Sequence, residues 1–543
     1  MVPILGKLTW AARWRVKHWQ DTRRMQQLAR EVARREPAPT TPPVVFFNAS
    51  TRLMGMSLNA AFALLTSWAL RLMGTPVVHF VCRSGMSRCV LGTNRNKIGK
   101  PPPCYNCVRQ SRQVYEGASV GWAGYKPDPE VQSAISRLSL NELIHYRRAK
   151  MPLGELVLPS LRWILRRHTL EGDPETRYLL REYILSAWNI AQEFGKMLDE
   201  VKPSKVVVFN GMFYPEAAAR WVAQQRGIPV ITHEVALRPF TGYFTTGEAT
   251  AYPIDIPQDF DLSPAQNARL DAYLEQRFQG NFSMAGVRFW PEMQSLSPEF
   301  LEKIKGFRQV VPVFTNVVFD TSQGHANLLF PHMFAWLDAV LEMMRAHPET
   351  FFVIRAHPDE TRPGKESLES VAMWVRRNEV DKLPNVLFVD SRQYFSSYEL
   401  IQRSKFVMVY NSTIGLEASL LGAAVLCGGK ARFTQIPTVY FPADAGQFLR
   451  LAEEFLTAEQ VTPPAEHRRN ARRFLYYQLF KTSLPFEQFI EEDGIWKGYV
   501  RFKKFSLDDL RPERSLALAA VLDGIRADGD FLLNEDQLGE TRP

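Results

Sequence analysis

The chain has 543 residues, 45% of them hydrophobic, 23% charged and 12% aromatic; this excludes disorder and supplies two cores, since one core seldom outgrows ~250–300 residues. The formal charge is +9, and residues 1–36 alone hold nine Lys or Arg against three acids, so the basicity sits at one end. No zinc-finger, helix-turn-helix or aromatic RNA-binding signature accompanies it, and nucleic acid is excluded as the expected partner.

Residues 1–43 read as a basic N-terminal helix followed by the Pro-rich linker PAPTTPP. Ile4, Leu5, Leu8, Ala12, Val16 and Trp19 share one arc of a helical projection, interrupted by Arg15. Two readings stand open: a helix on the anionic inner face of the cytoplasmic membrane, through residues 1–36, or a basic helix packed on its own domain. The segment has no apolar h-region leading to a small-residue cleavage site, so it is not a secretory signal. The run Leu58–Leu70 is too short to span a bilayer and predicts a buried helix. The expected location is the cytoplasm, peripheral at the membrane at most.

Residues 44–262 predict a first Rossmann-like domain. Its strands are Val44–Asn48, 75–82, 206–211 and 228–234, each a short apolar run bounded by Pro or Gly, as strands buried on both faces require. A helical insertion is expected at about 132–200, where apolar residues recur at three- and four-residue spacing. Residues 263–306 read as a helical connection. A second domain, 307–480, then alternates strand and helix with short loops, the pattern of a parallel sheet with right-handed crossovers. RRNARRFLYYQLF is a candidate segment for crossing back to the first domain. A C-terminal extension follows at 481–543, and its last residues, 505–543, are acidic and loosely patterned and receive no role.

In open parallel sheets ligands bind beyond the carboxyl ends of the strands, so the loops there carry the chemistry. Three such loops in the second domain are polar. One reads His357-Pro358-Asp359-Glu360 with Arg355 just ahead; an imidazole there can donate to a phosphate oxygen, although a structural His is the ordinary alternative. A second reads Asn411-Ser412-Thr413-Ile414-Gly415-Leu416-Glu417. Its hydroxyls and amides suit a phosphate at a helix N-terminus, or they simply cap the helix, and Glu417 is either an acceptor for ribose hydroxyls or a favourable first-turn acid. The third holds Thr315-Asn316 and Asp320.

The stretches TNVVFD, VIRAHPDE and YNSTIGLEASLLGAAVLCGG, spanning about 310–440, resemble the donor-binding domain of the capsule polysaccharide biosynthesis glycosyltransferases, a group that includes Kdo transferases. Similar His-Pro and Ser/Thr elements occur in bacterial sialyl- and polysialyltransferases, where they hold a CMP-sugar. The resemblance implies the GT-B arrangement, two Rossmann-like parallel-sheet domains facing across a cleft. It implies a nucleotide-sugar donor, with a CMP-linked sugar a candidate, and a glycan or lipid-linked glycan acceptor. His357, Ser412 and Thr413 would meet the donor phosphate and Glu417 the ribose, with Asn316, Arg355, Asn411 and Gly415 completing the donor site.

The first domain would then hold the acceptor. Glu234, at the end of its strand beside His233 and near Asn210-Gly211, is the candidate base, with His357 the second catalytic candidate; a salt bridge from Glu234 to Arg238 is the structural alternative. Two rival functions stand beside glycosyl transfer: polyol-phosphate transfer from a CDP-alcohol, as in teichoic acid polymerases, and an inactive scaffold in a polysaccharide assembly complex.

No cofactor is expected for catalysis, because helix dipoles and cationic or imidazole groups can stabilise a leaving nucleotide. Cys82, Cys89, Cys104 and Cys107 form C-x6-C-x14-C-x2-C, in which only CYNC is a regular knuckle. Structural zinc and unliganded thiols both remain open. Cys427 reads as a core residue.

Overall fold

The short apolar runs of the first half become strands because each is bounded by residues that cannot continue it. Val44–Phe47 (β1), Val77–Cys82 (β2), Ser119–Ala123 (β3), Lys205–Phe209 (β4) and Val230–Val235 (β5) pair in parallel, and Thr241–Thr245 (β6) returns antiparallel to β5. Leu484–Pro485 closes the outer edge of β6. The five parallel strands follow the order third, second, first, fourth, fifth, which is the Rossmann winding. The structure, a computed structural model, describes residues 4–49, 55–278, 295–364, 366–494 and 498–535, with side chains from residue 16 onward.

The second half repeats that winding. Gln309–Phe314 (β7), Thr350–Arg355 (β8), Val386–Val389 (β9), Val407–Val409 (β10) and Val425–Cys427 (β11) form one parallel sheet in the order β11-β10-β7-β8-β9. Val311, Val313, Phe352, Val353, Ile354 and Met408 are fully buried, as strands covered on both faces must be. The α/β class with two Rossmann-like parallel sheets, expected from sequence, is present.

The chain divides into two compact units at points other than those expected. Residues up to 164, 171–252 and 479–535 form the first, where described; 165–170 and 253–478 form the second. Residues 253–306, where described, therefore belong with the second unit, and 279–294 lie outside the described residues. The chain leaves the second unit within the segment RRNARRFLYYQLF, after Gln478.

The extension that received no role is core. Leu516–Ala527 forms a helix, with Leu518, Val521, Leu522 and Ile525 buried at helical spacing in one cluster with Phe62, Leu65 and Trp68 of the helix Leu58–Leu72. Ser57 caps that second helix by accepting the Ala60 amide, and nearly every side chain of it is buried, which explains the long apolar run. Truncating one such aliphatic residue costs about 2–5 kcal/mol. Residues 536–543 lie outside the described residues.

The basic segment is one helix, Ile4–Arg35. Met25, Leu28, Ala29 and Val32 sit in the first unit's core, Arg30 pairs with Glu116 at 2.8 Å, and Lys17 and Arg24 donate to the carbonyls of Asp493 and Lys503. Its carboxyl half packs on its own domain, while Val16 and Trp19 are exposed; the rest of the predicted arc, Ile4 to Ala12, lies outside the described side chains. Between β3 and β4 run four helices, the longest Pro174–Val201. No helix among the described residues is long and apolar enough to cross a membrane.

Candidate functional site

In the second unit the strand order reverses between β7 and β10, and β8 lies on the far side of β7. Their carboxyl ends therefore stand side by side, and a ligand crevice forms where neighbouring crossovers run to opposite faces. The three polar loops leave from these strands. Asn316, after β7, donates from Nδ2 to Oδ1 of Asn411, after β10, at 2.7 Å, so two of the loops touch across the reversal.

His357 begins the third loop. Its Nδ1 accepts the Asp359 amide at 3.1 Å, capping the short turn Pro358–Thr361. A nitrogen that accepts carries no proton, so the neutral ring holds its hydrogen on Nε2 and presents a donor there. Burial lowers the ring's pKa from its ordinary value; Asp359 and Asp320 pull it upward and Arg355 pushes it down. The ring is thus a neutral donor near pH 7, and its electrostatic neighbours come from the loops after both β7 and β8.

Arg355 is nearly enclosed. Its Nη1 donates 2.7 Å to the carbonyl of Asp390, at the end of β9, and burial lowers its pKa to about 10. It anchors the β8 and β9 ends while contributing positive charge beside His357. Ser412 is buried, and Thr413 makes no side-chain capping bond to the seven-residue helix Ile414–Leu420, so the capping alternative does not account for Thr413.

Gly415 is explained by packing rather than by a donor. A Cβ there would stand 2.9 Å from Val409 Cγ1 and 3.0 Å from Phe433 Cζ. Glu417 is 7% exposed and receives Arg277 Nη2 on Oε1 at 2.5 Å and the Tyr398 hydroxyl on Oε2. Its carboxylate is not a lone first-turn acid: each oxygen already has one partner and keeps a further lone pair. Arg277 and Tyr398 escaped the sequence reading, Arg277 because it lies on the polar helix Pro264–Phe278, where an arginine reads as surface.

The first unit has its own reversal, between β1 and β4. Glu234, on β5, accepts from Asn210 Nδ2 at 2.8 Å, from Asn59 Nδ2 at 2.8 Å and from the Val235 amide at 2.8 Å. The ion pair with Arg238 does not form; Glu234 meets carboxamides, and it pairs with no cation among the described residues. Asn210 sits at φ +59°, in the left-handed region that Asn tolerates at a turn. Asn59 was missed, though one Asn in the apolar run LNAAFALL is a visible signal. His233 is fully buried against Asn59 Oδ1 at 3.3 Å, and burial lowers its pKa to about 3.

Cys82, Cys89, Cys104 and Cys107 line one cavity, with Pro102 and Pro103 in its wall. Burial pushes the Cys82 thiol up to about 11 and the Cys89 thiol up to about 12, with Cys82, Cys104 and Cys107 adding to the latter. None is in a disulfide. Among the described residues no three His, Cys, Asp or Glu are arranged to hold a metal ion as their side chains stand. Cys427 is buried in β11, as expected of a core thiol.

Residues 308–437 match the model of a family described as capsule polysaccharide biosynthesis protein, which bears out the resemblance over the segment carrying all three loops. No curated protein sequence matches the chain. Among solved structures, the chain is similar to Thermosulfurimonas dismutans KpsC, beta Kdo 2,4 transferase, at 11% identity, 52% of this chain and 80% of that one, with a TM-score of 0.33. The beta Kdo 2,7 transferase of the same KpsC matches at 13% identity, 59% and 86%, with 0.32. UDP-GlcNAc 2-epimerase from Neisseria meningitidis bound to UDP-GlcNAc matches at 12%, 81% and 99%, with 0.24. TM-scores this low carry no weight on activity.

Proposed function

We propose that the chain transfers a sugar from a nucleotide-activated donor to a glycan or lipid-linked glycan acceptor, in the making of a surface polysaccharide. The observation that carries the reading is the Asn316–Asn411 contact at the strand reversal, with the His357 loop on the next strand, all within the segment that matches the capsule family model. A CMP-linked sugar is the donor we favour, from the resemblance of the His-Pro and Ser/Thr loops.

His357 Nε2–H, the Asn316 and Asn411 carboxamides, and the Ser412 and Thr413 hydroxyls supply uncharged donors for a leaving phosphate, with Arg355 behind them. Glu417, held by Arg277 and Tyr398, supports the loop and offers its remaining lone pairs to a ribose. Glu234 is the proposed base. It takes the proton of an acceptor hydroxyl as that oxygen bonds to the anomeric carbon, and the bond from that carbon to the donor phosphate breaks with its electron pair leaving on the nucleotide. Polar donors aimed at developing charge are worth roughly 3–4 kcal/mol each in such sites.

Thermal shifts with CMP-, UDP- and GDP-sugars test the reading. One nucleotide class should stabilise the protein and transfer its sugar, and His357→Asn, which keeps an acceptor for the Asp359 amide but removes the distal donor, should weaken that shift. If no nucleotide stabilised the wild type, the proposal would fail.

A further inference from the structure

Loose C-x6-C spacing argues against one zinc knuckle, but the structure divides it into two separate turns. Gly85 N–H donates to Cys82 Sγ at 3.1 Å, and Gly92 N–H donates to Cys89 Sγ at 3.2 Å. Each is a Cys-x-x-Gly turn whose third amide points at the sulfur, a geometry that stabilises thiolate character. Both glycines stand where backbone and sulfur approach too closely for a side chain: a Cβ on Gly92 would lie 2.6 Å from Cys89 Sγ and 2.8 Å from Pro102 Cβ, and one on Gly85 would lie 2.7 Å from the Ala123 carbonyl.

The other two sulfurs come from the start of one helix. Cys104 and Cys107 open Cys104–Val114, three residues apart and hence on one face, while Pro102 and Pro103 fix the approach of the chain. All four cysteines line a single cavity of about 20 Å³. That is room for a single ion, since one water-sized sphere needs ~10–15 Å³. From Cys82 to Cys107 the chain carries Arg83, Arg88, Arg95, Lys97 and Lys100 and not one acid.

We propose that Cys82, Cys89, Cys104 and Cys107 bind one structural Zn²⁺, which ties the loop after β2 to the helix that precedes β3. Binding breaks four S–H bonds, releases four protons and forms four Zn–S bonds, leaving a site of net charge −2 that the surrounding cations and the helix N-terminus balance. Zn–S bonds of ~2.3 Å draw the sulfurs closer than protonated thiols stand to one another. Its four ligands belong to the first unit and the Asn316, His357 and Thr413 loops to the second, so the ion's role is structural and independent of the donor chemistry.

The test is metal content of the full chain, purified under reducing conditions without a metal-affinity tag. Wild type and Cys427→Ser should each carry about one zinc per chain, and Cys104→Ser/Cys107→Ser less than a tenth of that. Should the double variant fail to fold, titrating wild type with a mercurial decides: zinc should be released in step with the blocking of four thiols, and Co²⁺ substituted for it should give the absorption of a tetrahedral tetrathiolate. Stoichiometric iron, four thiols oxidised to disulfides, or a wild type that stays metal-free after reconstitution with Zn²⁺ would each overturn the proposal.

Discussion

Replacing Arg277 by Met tests whether Glu417 depends on its buried partner. The two side chains are 5% and 7% exposed, with Nη2 and Oε1 2.5 Å apart, so neither charge has bulk water to fall back on. Removing one member of such a pair strands the other and typically costs about 3–5 kcal/mol, against at most ~1 kcal/mol for an exposed pair. The Tyr398 hydroxyl remains on Glu417 in the variant and keeps the cost near the lower bound; removing it in turn, by Tyr398→Phe, should cost roughly 1.5–3 kcal/mol, the range for hydrogen bonds to charged groups. Two units make a single unfolding free energy ill-defined, so the assay must be local. Hydrogen exchange over peptides spanning 407–427 should show Arg277→Met opening about a hundredfold or more too easily, ~3 kcal/mol, and Arg277→Met/Glu417→Gln should recover most of the loss. A single variant whose protection falls less than tenfold, or a double variant no better than the single, would refute the account.

Three other outcomes are expected. His233 has its pKa lowered to about 3 by burial, so its contribution is whole above the unfolded value near 6.5 and is lost as pH falls toward 3; between pH 7 and pH 5 wild type should lose ~2 kcal/mol more than His233→Gln in the opening free energy of peptides spanning 230–235, read by hydrogen exchange. Glu360 has its carboxyl raised to about 8 by burial while its Oε1 accepts the Val371 amide, so its contribution is present below about 4.5 and lost as pH rises through 8. Glu360→Gln, which keeps that acceptor, should gain on the order of 2–4 kcal/mol relative to wild type between pH 5 and pH 8, read as the difference in hydrogen-exchange opening free energy over peptides spanning 350–375. Gly415→Ala should cost roughly 1–3 kcal/mol through overpacking against Val409 and Phe433, seen as a lowered melting temperature, with nucleotide affinity of the folded protein unchanged.

The sheet strands were legible because five-residue apolar runs between Pro and Gly have few alternatives; β4 and β5 appear within a residue or two of where the pattern puts them. β3, SVGWA, was not legible: it lies at the sheet edge with a central Gly and an exposed first residue, so neither burial nor alternation marks it. Leu516–Ala527 does carry helical spacing, but the acidic residues around it suggested a solvated tail; only the apolar helix Leu58–Leu72 against it makes that spacing a core face. At the sites, sequence found strand-end residues and missed what holds them. Asn59 and Arg277 act from helices 175 and 140 residues away in the chain from Glu234 and Glu417, distances over which no local pattern reaches.

The two acids differ in a way that bears on which crevice receives a phosphate. Glu417 and Arg277 cancel as a pair, and what a ligand feels from them is a dipole. Asp359 faces Arg362 at 3.7 Å, and Arg355 lies behind His357, so that acid of the second crevice has cations close by, while Asp320 is capped by Ser322. Among the described residues Glu234 is met by neutral donors from Asn59, Asn210 and the Val235 amide and by no cation, so no ion pair offsets a carboxylate there. A like charge ~6 Å from a phosphate costs about 3 kcal/mol at an effective dielectric near 20, a hundredfold in affinity. On the proposed function, the first crevice would thereby be disfavoured for the anionic donor and suited to a neutral hydroxyl whose proton a carboxylate can take, while the second presents amide, hydroxyl and imidazole donors with Arg355 and Arg362 nearby. Were Glu234→Gln to leave transfer intact while creating a second nucleotide site in the first unit, charge would be the only thing separating the two crevices, and Glu234 would be a selectivity element in place of a base.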